Sequence, residues 1–230
     1  MKENIKYHKK SKILIIAPHP DDEVLGCAGI MRKYSSEGHE VFVLIVTRGT
    51  SKKYSDVRIT KGRKQALQAH FSLGVKETFF FDFPAPELDM VSLASISDSI
   101  FELIKKLKID TLFIPHRGDI HRDHYIVFNA ALVAARPVGD YTVKSIYAYE
   151  TLSETEWAAP YSHDAFIPDH FVNIEQYFQS KLEAMSCYSG QLRTFPNPRS
   201  LESIEALAKF RGSTVGFERA EAFMTIRTIE

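Results

Sequence analysis

Between Lys12 and Val46 the chain passes from a short apolar run, KILIIA, through an amphipathic stretch at 22–37, to a second apolar run at Val41–Val46. Val24, Leu25, Ala28 and Met31 recur at helical spacing in the middle stretch, and Gly38 supplies the flexible residue expected just past a helix end. A strand, a helix and a second strand within about thirty-five residues leave little choice of topology. Two parallel strands joined by a right-handed crossover are the arrangement that buries both apolar runs.

The pattern then repeats. A helix is expected near 60–73 with a stop at Gly74, a strand at Thr78–Phe83, a helix at 92–107, a strand at Thr111–Ile114 and a helix at Asp123–Arg136. From Lys144 the reading is less regular: a strand at Ser145–Tyr149, a helix near 175–188, a break at FPNPRS (195–200) and a helix at 201–210. Such alternation predicts an α/β fold, a Rossmann-like three-layer α/β/α sandwich with a mostly parallel sheet. Ligands of such sheets bind outside the carboxyl ends of the strands. With no repeat and no long linker, residues 1–230 read as one domain whose C-terminal part, about 145–230, shapes the pocket.

Lysine plus arginine and aspartate plus glutamate each number 29, so no net field favours nucleic acid or an anionic membrane. A small molecule is the expected partner. Cys27 and Cys187 form no closely spaced pair, and Cys27 reads as a buried thiol. Residues Met1–Lys12 lack an apolar signal core, and no segment approaches the ~20 apolar residues of a membrane span. A cytoplasmic protein is expected. Homo-oligomerisation is compatible with the sequence, which carries no coiled-coil heptad.

Two segments carry chemistry. APHPDDE, Ala17–Glu23, sets one imidazole and three carboxylates where the first strand hands over to a helix. Adjacent Asp21 and Asp22 repel each other in a partly buried site unless a cation or hydrogen-bond donors neutralise them. Helix capping accounts for one aspartate but not for His19 and Glu23 as well. The second segment, IPHRGDIHRDH (114–124), places His116, Asp119, His121, Asp123 and His124 just beyond another strand. His121 and His124 share a face if helical. Histidine with carboxylate is the usual donor set of a zinc ion with an open position, and two strand ends of a parallel sheet can bring both segments together. For isolated His8, His39, His70, His163 and His170, a core or surface role is expected.

PHPDDE and HRDH resemble the two hallmarks of the LmbE-like or PIG-L deacetylases, an AHPDD segment after the first strand and a later HxDH segment. Strand and helix order, and a late helix carrying Lys181 and Ala184 ahead of Ser189 and Gln191, extend the likeness along the chain. The resemblance implies one zinc ion held by His19, Asp22 and His124, and hydrolysis of an N-acetylated sugar such as an N-acetylglucosamine derivative. Asp21 becomes the general base for the attacking water, His121 the oxyanion stabiliser or general acid, and Asp123 the group that orients His121. Arg63 lies near where relatives carry an arginine that contacts substrate or the catalytic aspartate, although Gln65 replaces their glutamate. RGSTVGFERAEAF (211–223) and ETLSETEW (150–157) also resemble members acting in carbohydrate pathways, and Trp157, Tyr188 and Phe195 offer flat faces for a sugar ring.

Three rivals are weaker. A dinucleotide-binding protein would place Gly26 and Gly29 in a tight phosphate turn, yet here they follow PHPDDE. A two-metal phosphoesterase would use the same residue types, but the first segment supplies ligands for a single ion. A non-catalytic carbohydrate-binding module would not need Asp21.

Overall fold

A computed structural model describes residues 10–50, 52–138 and 141–230. His8 and the first nine residues lie outside the described residues. Strand β1 (Lys12–Ala17) leads into helix α1 (Asp22–Ser36), and β2 (Glu40–Gly49) follows parallel to β1, pairing Lys12 with Glu40 and Ala17 with Ile45. Helix α2 (Asp56–Leu73), strand β3 (Glu77–Ala85), helix α3 (Leu93–Leu107), strand β4 (Thr111–Pro115), helix α4 (Arg122–Ala134) and strand β5 (Ser145–Tyr149) continue the alternation. Strand β6 (His170–Asn173), helices α5 (Phe178–Cys187) and α6 (Leu201–Ser213), and strand β7 (Ala220–Thr228) complete the fold.

The seven strands lie in the order β3-β2-β1-β4-β5-β7-β6. The first five run parallel, whereas β7 is antiparallel to both β5 and β6. The expected α/β/α sandwich is thus present, with an antiparallel edge that the alternation does not announce. Residues 13–17 of the central β1 are buried on both faces, which is why they read as an unbroken apolar run. Their side chains divide between two cores. Ile13 and Ile15 face α1, α2 and α5, while Leu14 and Ile16 face α3 and α4. Each such buried aliphatic side chain contributes roughly 1.5–3 kcal/mol.

The segment 211–223 ends α6 and begins β7. β7 is buried at Ala220–Phe223 and only half covered beyond, so it shows neither a continuous apolar run nor strict alternation. β6 has four residues, too few for periodicity. The expected helix at 175–188 is a single 3₁₀ turn at Glu175–Tyr177 followed by α5. No helix among the described residues is long and apolar enough to cross a membrane.

Gly26 and Gly29 are packing residues. A Cβ on Gly26 would lie 2.3 Å from the Tyr149 ring, and one on Gly29 would lie 2.6 Å from Ile174. Glycine at these positions lets α1 approach the sheet and the Ile174 loop closely.

A candidate metal centre at the carboxyl edge of the sheet

Because β1 and β4 are neighbours, the segments that follow them emerge side by side. PHPDDE leads from β1 into α1, and HRDH leads from β4 into α4. His19, Asp22 and His124 offer ligand atoms that all lie within 4.8 Å of one another. A second group, His19, His121 and Asp123, meets the same criterion and shares His19 with the first.

The hydrogen bonds around the two histidines are more specific than the distances. His124 Nδ1–H donates to Asp119 Oδ2 at 2.7 Å, and Asp119 accepts a further bond from Thr155 Oγ1 at 2.6 Å. His19 Nε2–H donates to Asp123 Oδ2 at 2.9 Å. Each imidazole is therefore fixed by a carboxylate through one nitrogen and presents the other inward. Metal-ligating histidines are held in this way. Buried His124 Nε2 and Asp22 Oδ1 have no hydrogen-bond partner, and unpaired polar atoms are expensive to bury unless something else engages them. A divalent cation would satisfy both, so the donor set fits one.

Asp123 departs from its expected place. Its carboxylate is bonded to His19, while its distance to His121 Nδ1 is 3.9 Å. His121 is the N-cap of α4, and its Nδ1 accepts the backbone N–H of Asp123 at 3.2 Å. The Nε2 position then carries the ring proton. Burial and the neighbouring charge of His19 lower the His121 pKa, which favours this neutral form.

Asp21 does not cap its helix. It occupies the N-cap position with φ 112°, a left-handed conformation costly for a non-glycine residue, and its side chain makes no cap bond. The carboxylate instead accepts from Arg199 Nη1 at 2.7 Å. Asp22 is likewise committed elsewhere, accepting the His19 backbone N–H at 2.9 Å. Burial raises the Asp21 pKa to about 8 despite the opposing Arg199 cation, and the negative charges of Asp22 and Glu23 add to the rise. Burial disfavours charge on His19, but hydrogen bonds to Asp123 and Asp22 outweigh it and lift the pKa to about 9. Asp22 is held well below its usual range, burial being outweighed by His124 and His19.

A cavity of about 690 Å³ opens over this cluster, with His19, Asp21, His121, Glu154, Arg63 and Arg199 in its wall. Arg63 donates to Asp82 and, at 3.2 Å, to the Phe81 carbonyl, which ties its guanidinium to β3. Arg199 also donates to Ser153 at 2.7 Å and lies 3.6 Å from Glu154. Burial, with the charge of Asp22, pushes Glu154 up to about 7. Trp157 and Phe195 are exposed and do not line the cavity, while Tyr188 does line it but donates its hydroxyl to Glu23.

Arg199, Asp119 and the Glu23 network escape sequence reasoning. Arg199 sits about 180 residues from Asp21 in a segment legible only as a chain break. Asp119 stands within the second motif, yet nothing in its spacing distinguishes a histidine partner from a loop aspartate. Glu23 accepts from Tyr188 and from His70 Nε2 at 3.0 Å, so His70 is a core histidine as expected, but one that braces the first turn of α1. His116 bonds the Asp164 carbonyl at 2.7 Å and stands apart from both donor groups.

Fold and site together define a class. Residues 14–135, which include both motifs, match the PIG-L family, described as GlcNAc-PI de-N-acetylase, and the chain belongs to that family. Among its relatives, the uncharacterized deacetylase YaiS of Escherichia coli is 28% identical over 184 residues, covering 77% of this chain and 90% of YaiS. The N,N'-diacetylchitobiose deacetylase from Pyrococcus horikoshii superimposes with a TM-score of 0.72 at 23% identity, covering 94% of this chain and 84% of that one. GalB, the 4-carboxy-2-hydroxymuconate hydratase from Pseudomonas putida, reaches a TM-score of 0.77 at 19% identity, covering 96% and 98%. A deacetylase and a hydratase thus share the fold, and activity must be argued from the site.

Proposed function

We propose that the protein hydrolyses the N-acetyl amide of an N-acetylated sugar or glycoconjugate, using one zinc ion held by His19, Asp22 and His124. The carrying observation is the carboxylate support behind both histidines, with His124 Nε2 and Asp22 Oδ1 left unpaired. Family membership supplies the reaction class, and relatives named diacetylchitobiose deacetylase and N-acetyl-alpha-D-glucosaminyl L-malate deacetylase support a carbohydrate substrate.

Zinc bound there supplies Lewis acidity toward the amide carbonyl and toward water. Asp21 accepts a proton from the water that attacks the carbonyl carbon, then returns it to the sugar nitrogen as the C–N bond breaks, leaving acetate and an amine. Burial raises the Asp21 pKa in the metal-free protein, and a neighbouring zinc cation would draw it back down, toward the range in which a group both takes and gives a proton. Arg199 holds the carboxylate in place against its strained backbone. His121, with Nδ1 occupied by the Asp123 N–H, presents Nε2–H to the oxyanion. Asp123 orients His19, and Arg63 meets the substrate's outer hydroxyls.

Asp21→Asn keeps the shape of the base and removes its function. The purified variant retains zinc by elemental analysis and loses acetate release from a panel of N-acetylated sugars by a factor of roughly 10²–10⁴. Turnover at the unmodified rate would remove Asp21 from the mechanism.

A further inference from the structure

The turn that follows β5 is tied down on both sides of Glu154. Ser153 Oγ accepts from Arg199 Nε at 2.7 Å, and Thr155 Oγ1 donates at 2.6 Å to Asp119, the carboxylate behind His124. Between them, the Glu154 backbone N–H donates to the Thr151 carbonyl and its carbonyl accepts the Ile120 N–H, each at 3.1 Å. Ser153 is held at φ 72°, a left-handed conformation that a non-glycine residue keeps only where its surroundings over-determine it.

The Glu154 side chain itself is uncommitted. It lines the cavity with Asp21, His121 and Arg199 and is 13% exposed, yet no hydrogen bond among the described residues reaches its carboxylate. Arg199 Nη2 stands 3.6 Å from Glu154 Oε1, beyond hydrogen-bonding length. Arg199 spends Nε on Ser153 and Nη1 on Asp21, and among the described residues Nη2 donates to nothing. Burial pushes the Glu154 pKa up to about 7, as expected of a carboxylate shielded from water without a donor of its own.

A free acceptor and a free donor thus stand side by side in the cavity wall. A carboxylate only accepts and a guanidinium only donates, whereas a hydroxyl does both. One hydroxyl can therefore donate to Glu154 while accepting from Arg199 Nη2. An ammonium would satisfy only the carboxylate, and a carbonyl or phosphate only the guanidinium.

We propose that Glu154 is a specificity-determining residue which, with Arg199, recognises one ring hydroxyl of the N-acetylated sugar. This rests on the deacetylase reading of the site, but hydroxyl recognition is separately measurable. A single guanidinium separates Glu154 from the Asp21 base, so the hydroxyl belongs to the ring whose amide is attacked and not to a distant part of the substrate. A ring that lacks it strands a carboxylate and a guanidinium N–H in a cavity from which the substrate has displaced water. Sites built around a polar partner reject such analogues strongly.

The test compares methyl N-acetylglucosaminide with its 3-, 4- and 6-deoxy analogues on the zinc-loaded protein, on Glu154→Gln and on Glu154→Met, measuring acetate release and, by calorimetry, sugar binding. In the unmodified protein one deoxy analogue loses kcat/KM by on the order of 10- to 100-fold relative to the parent. Glu154→Met, which keeps the length of the side chain and removes the acceptor, no longer separates that analogue from the parent. Glu154→Gln, which keeps a neutral acceptor, retains part of the preference. Equal processing of the parent and all three analogues by the unmodified protein overturns the proposal. So does a Glu154→Met loss of equal size on the parent and on every analogue, the result expected of a residue that only steadies Arg199. Where no sugar releases acetate, binding decides: calorimetric discrimination that Glu154→Met abolishes overturns the deacetylase reading alone, and absence of discrimination overturns hydroxyl recognition as well.

Discussion

Replacing Arg199 by glutamine isolates the interaction on which the proposed base depends. Asp21 is 1% exposed and the Arg199 side chain 19% exposed, with 2.7 Å between them. Removing one partner of such a pair strands a buried charge, and for a pair that retains this much solvent on one side about 3 kcal/mol is the appropriate scale. That energy need not appear as unfolding, because Asp21 can keep its proton instead. Since 1.36 kcal/mol corresponds to one pH unit, the acid limb of the kcat/KM profile moves upward by about two pH units, and activity at neutral pH falls on the order of a hundredfold. The sign follows from the charges: Arg199 opposes the rise caused by burial, so its loss lets the pKa climb further. Arg199→Lys restores the limb without the Ser153 bond and recovers part of the rate. The assay is acetate release across pH 5–10 for all three proteins, with zinc content and melting temperature measured in parallel. A glutamine variant whose acid limb does not move, whatever its rate, refutes the argument that Arg199 acts through Asp21.

Other consequences can be checked independently. In metal-stripped protein His19 is raised to about 9, so its stabilising contribution is complete below the ordinary 6.5 and is lost as pH climbs through 9. Asp21, raised to about 8, adds loss in the same direction, so the melting temperature of the stripped protein falls between pH 6.5 and 9, and a flat or rising curve from scanning calorimetry contradicts this. Asp119→Asn removes the carboxylate that orients His124, and zinc affinity, read by competition with a chromophoric chelator, drops roughly 10- to 100-fold. Gly26→Ala drives a methyl group into the Tyr149 ring 2.3 Å away and lowers stability to urea by about 1–3 kcal/mol, whereas Gly62→Ala, with open space around it, does not.

What could be read from the chain, and what could not, follows the range of the forces involved. β1, β2 and β4 are legible because a parallel strand buried on both faces must be apolar along nearly its whole length, and α3 because its apolar residues Ile96, Ile100, Leu103 and Ile104 form one buried stripe. The two segments that bear the candidate ligands stand out because His19 and Asp22, and His121 and His124, lie within three residues of each other at the ends of adjacent strands. Arg199 has no such signature. Its role arises only because the turn at residues 195–200 folds back over the carboxyl edge, and an arginine in a proline-rich loop looks the same whether it faces water or a buried aspartate. Asp123 shows a subtler failure. The family resemblance implied that it orients His121, two residues away, yet the backbone at the start of α4 turns its N–H toward His121 and its carboxylate toward His19, 104 residues distant. Helix geometry decides the matter, because an N-cap side chain accepts a backbone N–H from the first turn, and that leaves the Asp123 carboxylate free to reach across to the neighbouring strand end. Both proposed ligand histidines are therefore supported by carboxylates from the β4–α4 segment, and that segment fixes the orientation of a donor supplied by β1 as well as its own.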